Sequence, residues 1–267
     1  NSQQHQNSQQ HLKQQLQLLK QQLRQSRRKE VNMYSYKKRV SFSEIGKDGI
    51  VPYYGILYNL QDCSTFQSED LGIGISYLKK HHRAWVLLAY KIQIFKDLRF
   101  GEEVEVGTSP LNFHKVMATR QFWIKDANGG YIVKAESIWS LLDTEKRMPV
   151  RITEGDISKY QLGEAFDSLK VSRKLKFQGE REVLGTTKVF KSFIDTNGHL
   201  NNADYMRIVE QFLPKGKKYN QIEIVYKKEA LIDEEIVCVA YNNQDYLGIN
   251  LESADGQIHG QIKLKNI

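Results

Sequence analysis

Three side chains that could carry out acid–base chemistry, Asp195, Asn197 and His199, lie at a spacing of two. In extended backbone this spacing places the carboxylate, the amide and the imidazole on one side of the chain. A helical pattern follows directly, with apolar residues at i, i+3, i+4 and i+7, namely Tyr205, Ile208, Val209 and Phe212. The free N–H groups and positive dipole at the start of such a helix could stabilise an oxyanion.

The same segment also has a purely structural interpretation. Asp and Asn are common N-cap residues before a helix, and Asn197-Gly198 is a common turn sequence. The residue types and their spacing therefore leave catalysis and capping both open.

The composition predicts a globular protein with a substantial core. Apolar residues make up 40% of the 267 residues, and the formal net charge is +8. Residues 1–32 contribute most of that charge, so the remainder is weakly basic and no nucleic-acid partner is expected. No apolar run approaches the ~20 residues of a membrane span, and no signal-peptide pattern is visible, which predicts a cytoplasmic protein.

The two cysteines, Cys63 and Cys238, provide neither a disulfide framework nor the spacing of a metal site. Both fall inside predicted regular elements. We expect buried thiols in a reducing compartment, with no metal and no cofactor.

The chain reads as two copies of one pattern, a strand, an apolar helix and four strands. The helices are predicted at 53–66 and 202–213, and a polar, irregular segment separates the copies. We predict a Gln-rich extension at 1–32, native or added, then an N-terminal domain at 33–152, a linker at 153–180 and a C-terminal domain at 181–267. The first copy keeps Asp48 but has no amide or imidazole equivalent to Asn197 and His199, so the chemistry is expected in the second.

Several separated segments resemble the acyl-acyl-carrier-protein thioesterases. They are Trp85 to Leu88, Phe100 to Val104, Ala118 to Phe122, Ser137 to Asp143, Arg147 to Ile152, Asp195 to Tyr205 and Tyr226 to Glu229. The resemblance implies an α+β fold, a tandem (double) hotdog in which each antiparallel sheet wraps around a central helix. It also implies hydrolysis of acyl-acyl-carrier protein to free fatty acid, and the missing transit peptide suits a bacterial member.

The resemblance assigns the catalytic set to Asp195, Asn197, His199 and Glu229. Asp195 is expected to orient His199, and either His199 or Glu229 is expected to take the proton of an attacking water. Plant members carry a cysteine after the glutamate, whereas this chain has Ala230. That difference predicts direct attack by water rather than an acyl-cysteine intermediate.

The first half is expected to bind the acyl chain and the carrier. By resemblance, the apolar helix lines the acyl tunnel, through Tyr53, Ile56, Leu57 and Leu60. Lys79, Lys80 and Arg83 could dock an acidic acyl carrier protein with its phosphopantetheine-linked chain, or could simply be solvated surface. A homodimer is left open.

Three other functions remain open at this point. An acyl-CoA thioesterase of the hotdog superfamily would prefer coenzyme A esters. A hotdog hydratase or dehydratase would act on 3-hydroxyacyl or enoyl thioesters without releasing thiol. A non-catalytic acyl-binding module would have lost one of the four site residues, and none is missing.

Overall fold

The computed structural model describes residues 33–166 and 169–267. The predicted extension at 1–32 lies outside the described residues. None of the described helices is long and apolar enough to cross a membrane.

Each half contains one principal helix and a set of antiparallel strands. The first half comprises β1 (Tyr34–Arg39), α1 (Tyr53–Asp70), α2 (Ile75–Lys80), β2 (Arg83–Ile94), β3 (Glu103–His114), β4 (Met117–Asp126), β5 (Tyr131–Asp143), β6 (Met148–Pro149) and α3 (Glu154–Ile157). The second comprises β7 (Glu180–Lys188), α4 (Asn202–Glu210), β8 (Gln221–Tyr226), β9 (Glu235–Asn242), β10 (Leu247–Ser253) and β11 (Ile258–Lys265). Short 3-10 turns at Phe42–Glu44 and Lys191–Phe193 precede α1 and α4.

The strands form one sheet in the order β1-β3-β4-β5-β2-β8-β11-β10-β9-β7, with β6 paired to β5. The two halves join where β2 pairs antiparallel with β8, from Ala89 opposite Val225 to Gln93 opposite Gln221. The predicted α+β class with antiparallel sheets is confirmed. The predicted domain boundaries stay a prediction.

Helix α1 packs against β1 and β3 of the first half and against α4 of the second, and its apolar turns are buried, as its sequence predicts. Its buried face recurs with helical spacing at Ile56, Leu60, Cys63 and Gln67. The helix continues to Asp70, beyond the predicted end at Phe66, because its last turns carry Gln, Ser and Glu rather than a Pro or Gly stop. These later, more polar turns matter for the cavity described below.

Helix α4 caps α1 from the other half. Pro52 precedes α1 and makes no side-chain cap. Instead, the Glu210 carboxylate accepts the N–H groups of Tyr53 at 2.7 Å and Tyr54 at 3.2 Å. Tyr58 donates from its hydroxyl to Asp204 at 2.6 Å, which adds a second polar contact between the helices. The two halves are thereby held together through the ends of their helices.

This contact predicts a pH-dependent stability. Burial raises the pKa of Glu210 to about 7, above its value in the unfolded chain. The folded protein therefore binds more protons than the unfolded chain between about pH 4.5 and pH 7. We expect the free energy of unfolding to fall by about 1–3 kcal/mol across this window as pH rises.

Glu210→Gln, which keeps an acceptor oxygen, should remove that fall in urea titrations at pH 5 and pH 8. Glu235→Gln, at an exposed position, should leave the fall unchanged, and an unaltered pH dependence in Glu210→Gln would contradict the prediction.

Candidate active site

The segment that carries the predicted acid–base residues is a tight turn between the 3-10 turn and α4. The Asp195 N–H donates to the His199 carbonyl at 2.8 Å, and the Gly198 N–H donates to the Asp195 carbonyl at 3.1 Å. Gly198 has φ +84°, which favours glycine. The backbone here is therefore turned rather than extended, so the alignment expected for extended backbone does not apply. We call residues 194–201 the Asp195 loop.

The Asp195 carboxylate organises this loop from within. It accepts the backbone N–H of Asn197 at 2.8 Å and of His199 at 3.2 Å. The Asn197 side-chain amide lies 3.4 Å from its other oxygen. Asp195 thus contacts the backbone of His199, not the imidazole, so any orienting effect on the ring is transmitted through the main chain.

The imidazole of His199 instead faces Glu229. His199 Nε2 and Glu229 Oε2 are 3.1 Å apart, and both side chains are partly accessible to solvent. The Asp195 loop is fastened to the segment after β8 because the Leu200 N–H donates to the Ala230 carbonyl at 2.9 Å. The structure therefore brings together the two acid–base residues that the resemblance assigned.

Arg147, a residue of the first half, also contacts Glu229. Its Nη2 lies 3.1 Å from the same oxygen, Glu229 Oε2. Arg147 lies in the turn between β5 and β6 at φ +52°. The acid–base pattern in the second half gave no sign of it, although the segment Arg147 to Ile152 was among those that carried the family resemblance.

We expect Arg147 to help hold Glu229 in position. The pair is exposed, and exposed ion pairs contribute up to about 1 kcal/mol, which corresponds to about a fivefold change in rate. Arg147→Met should lower kcat by up to that factor, and Arg147→Lys should recover part of the loss. The exposed Arg151→Met serves as the charge-matched control in the same steady-state assay. Unchanged kcat in Arg147→Met would remove the residue from the site.

A second residue not predicted from the sequence, His259, contacts the backbone of the segment that carries Glu229. Its imidazole is fully buried, with Nδ1 3.1 Å from the Glu229 carbonyl oxygen and 3.3 Å from that of Lys228. Its Nε2 lies 3.0 Å from Glu234 Oε1.

Within residues 33–166 and 169–267, no group of three His, Cys, Asp or Glu side chains has the arrangement of a metal site.

A cavity of about 370 Å³ opens beside the Asp195 loop and extends into the first half. The loop contributes Asp195, Thr196, Asn197 and Asn201 to its wall. The rest of the wall comes from the later turns of α1, from α2, from β2 to β5 and from Tyr160. The cavity wall therefore combines residues of the first half with residues of the Asp195 loop. The division of roles between the two halves stays a prediction.

The four residues expected to line the acyl tunnel lie elsewhere. Ile56, Leu57 and Leu60 are buried in the hydrophobic core, and Tyr53 packs against it while its hydroxyl contacts the backbone of Tyr219. None of the four lines this cavity, whose α1 wall runs from Gln61 to Ser68. The apolar turns of α1 pack into the core, and the more polar turns face open space.

The predicted docking residues lie near the same cavity. Lys79 and Arg83 belong to its wall, and Lys80 is exposed at the end of α2. Arg83 also pairs with Asp143 at 3.3 Å. Their role towards a carrier protein stays a prediction.

Both cysteines are buried, as predicted, and neither lines the cavity. Burial raises the pKa of each thiol to about 12, so neither is an available thiolate nucleophile near neutral pH. We expect Cys63→Ser and Cys238→Ser to retain turnover when folded. Mass spectrometry of the enzyme quenched during turnover should show no acylated cysteine, and a trapped acyl-cysteine would contradict water attack.

Comparisons with known proteins identify the family and the fold. The family models described as the Acyl-ACP thioesterase N-terminal domain and C-terminal domain match residues 31–160 and 180–266. Among curated proteins, oleoyl-acyl carrier protein thioesterase 1 of Arabidopsis thaliana, a chloroplastic protein, is 22% identical over 246 residues, covering 83% of this chain and 68% of the relative. The chloroplastic palmitoyl-acyl carrier protein thioesterase of the same plant is 24% identical over 204 residues, covering 70% and 49%.

Solved structures share the fold at low sequence identity. An acyl-ACP thioesterase from Bacteroides thetaiotaomicron superposes with a TM-score of 0.80 at 21% identity, covering 89% of this chain and 98% of that one. The 12:0-ACP thioesterase from Umbellularia californica gives a TM-score of 0.74 at 16% identity, covering 87% and 96%.

Proposed function

The chain belongs to the acyl-ACP thioesterase family, and we propose that it hydrolyses the thioester of acyl-acyl carrier protein by direct attack of water. It is a thioester hydrolase, and its products are a free fatty acid and the carrier's thiol, which terminates fatty acid synthesis. The observation that carries this proposal is the His199–Glu229 pair, whose histidine belongs to the Asp195 loop. Asp195, Thr196, Asn197 and Asn201 of that loop line the cavity, whereas His199 and Glu229 are not in its wall.

Glu229 is the general base in this mechanism. Its Oε2 already contacts His199 and Arg147, each at 3.1 Å, so Oε1 is the oxygen assigned to the water. Water attacks the thioester carbonyl carbon while its proton passes to Glu229. His199 holds the carboxylate through Oε2. After the C–S bond breaks, the released thiolate takes up a proton, and Glu229 loses the proton that it took from water.

The oxyanion and the leaving group need little further assistance. A thiol with pKa near ~8.5 leaves readily as its thiolate when the C–S bond breaks. At the start of α4, the N–H groups of Ala203 and Asp204 are bound by Asn201. The backbone N–H of Asn202, in the cavity wall, is therefore the donor assigned to the oxyanion. We assign Asn197, which lines the cavity, to hold the water or the carbonyl.

The binding site for the carrier protein is assigned to the basic residues of α2 and β2. Lys79, Lys80 and Arg83 lie at or next to the cavity, where an acidic carrier would present its phosphopantetheine arm. The free, buried thiols of Cys63 and Cys238 fit a reducing, cytoplasmic compartment. A bacterial-type protein is favoured by the bacterial structure, although the curated relatives named above are chloroplastic.

The test is thiol release by the full chain from matched acyl-carrier and acyl-CoA substrates across a series of chain lengths. We expect a higher kcat/KM on the carrier substrates. Lys80→Glu should raise KM for these and leave coenzyme A esters unaffected, whereas Lys188→Glu, on an exposed position of β7, should change neither. Equal use of both substrates would favour an acyl-CoA thioesterase, and a folded protein that releases no thiol from either would overturn the hydrolase assignment.

A further inference from the structure

A buried cation lies in the wall of the cavity, away from the catalytic pair. Arg120 of β4 is only 8% exposed and lines the cavity. Its Nη1 donates to the Gln67 amide oxygen and to the Thr108 hydroxyl at 3.1 Å, and its guanidinium lies 5.2 Å from the Tyr160 ring centre. All these partners are neutral. Throughout the described part of the chain, no carboxylate oxygen lies within 4.0 Å of the Arg120 guanidinium nitrogens.

An unbranched hydrocarbon chain is a poor complement to this wall. A buried guanidinium without a charged partner is costly unless its donors find acceptors. Arg120 has neutral acceptors only, because Nη1 donates to Gln67 and Thr108 and a further side-chain hydrogen bond goes to Tyr160. Burial lowers the pKa of Arg120, which reflects the same unfavourable environment for its charge. A methylene chain beside Arg120 would add no acceptor.

Other polar groups share the wall with Arg120. On α1 these are Asp62, Ser64, Thr65 and Ser68, and Tyr160 comes from the segment after α3. Aromatic side chains also belong to the wall, namely Trp85, Phe113 and Trp139, and Phe113 packs against Tyr160 at 5.8 Å between ring centres. The wall therefore offers apolar surface for hydrocarbon together with groups that accept and donate hydrogen bonds.

We propose, on the basis of the proposed function, that the acyl group taken by this cavity carries a hydroxyl that accepts a hydrogen bond from Arg120. The hydroxyl proton would be accepted by an oxygen of α1, from Ser64, Ser68 or Asp62. A carboxylate at that place would add a second negative charge beside Asp62, so a neutral hydroxyl fits better. The aromatic side chains of the wall would contact the methylenes next to it.

The experiment compares pairs of acyl-carrier thioesters with the same carbon number, one unsubstituted and one with a single hydroxyl placed at successive positions. We expect at least one hydroxyacyl substrate to have about tenfold higher kcat/KM than its unsubstituted partner. Arg120→Met should lower that ratio by about tenfold, whereas Arg120→Lys, which keeps a cation, should preserve most of it. Turnover of an acetyl thioester, which has no chain carbon that could carry the hydroxyl series, reports whether the variants keep a working site.

The outcomes separate this inference from the proposed function. A wild type that prefers the unsubstituted chain at every position, or an unchanged ratio in Arg120→Met, would overturn the hydroxyl assignment while leaving the thioesterase intact. Loss of all thiol release in the wild type would instead overturn the proposed function. If the Arg120 variants do not fold, product inhibition of the wild type tests the hydroxyl assignment instead. The hydroxy acid should inhibit about tenfold more strongly than the matched fatty acid, and equal inhibition would refute the proposal.

Discussion

Replacing Glu229 with Gln, or His199 with Ala, is expected to lower kcat by at least about 100-fold, the scale of a lost acid–base function. The two side chains meet at 3.1 Å and share one oxygen contact, so each variant disables the same unit. In Glu229→Gln the new side-chain amide could still accept a hydrogen bond but could not take a proton from water. Steady-state thiol release at saturating acyl-carrier substrate measures the loss.

Because the two residues act together, the double variant should lose little more than the worse single variant. The exposed His114→Ala, at the end of β3, is the matched histidine control and should keep full activity. Near-normal turnover in a folded His199→Ala or Glu229→Gln protein would remove the pair from the mechanism. Fully additive losses would mean that the two residues act in separate steps.

The sequence predicts the arrangement of elements well because each element carries its own local pattern. The apolar helix at Tyr53 and the strand from Glu235 to Asn242 begin or end where their periodicity indicates. The functional cluster depends instead on pairing between distant segments. Arg147 reaches Glu229 only through the turn after β5, and His259 lies behind it only because β11 pairs with β8. No local pattern encodes either contact.

For the cavity wall, the local pattern of α1 points to the wrong residues. The most apolar turns of α1 are a natural choice for an acyl tunnel, yet Leu60 is fully buried in the core. An amphipathic pattern identifies the face that avoids water, and in an enclosed helix that face is filled by neighbouring side chains. A bulky side chain at Leu60 would overpack the core and destabilise the protein. For the acyl site proposed above, variants that test chain length belong between Gln61 and Ser68, where α1 lines the cavity.

Removal of the Asp195 side chain is the second change expected to have a large effect. Its carboxylate accepts the N–H groups of Asn197 and His199 and so fixes the turn that aims the imidazole at Glu229. Asp195→Ala leaves both N–H groups without this acceptor, and a displacement of about 1 Å at a reacting group can cost about 100-fold in rate. We expect a loss of kcat of that order, with KM less affected.

Asp195→Asn separates the two roles that a carboxylate could have here. The Asn amide oxygen can still accept the two backbone N–H groups, as in other Asx turns, but it carries no negative charge. If Asp195 acts by shaping the loop, Asp195→Asn should retain at least about tenfold more activity than Asp195→Ala. The kcat of both variants, with thermal unfolding as the check on folding, gives the answer. Equal losses would mean that the charge itself acts on the reaction, and the loop-shaping role drawn from the 2.8 Å contact to Asn197 would then be insufficient.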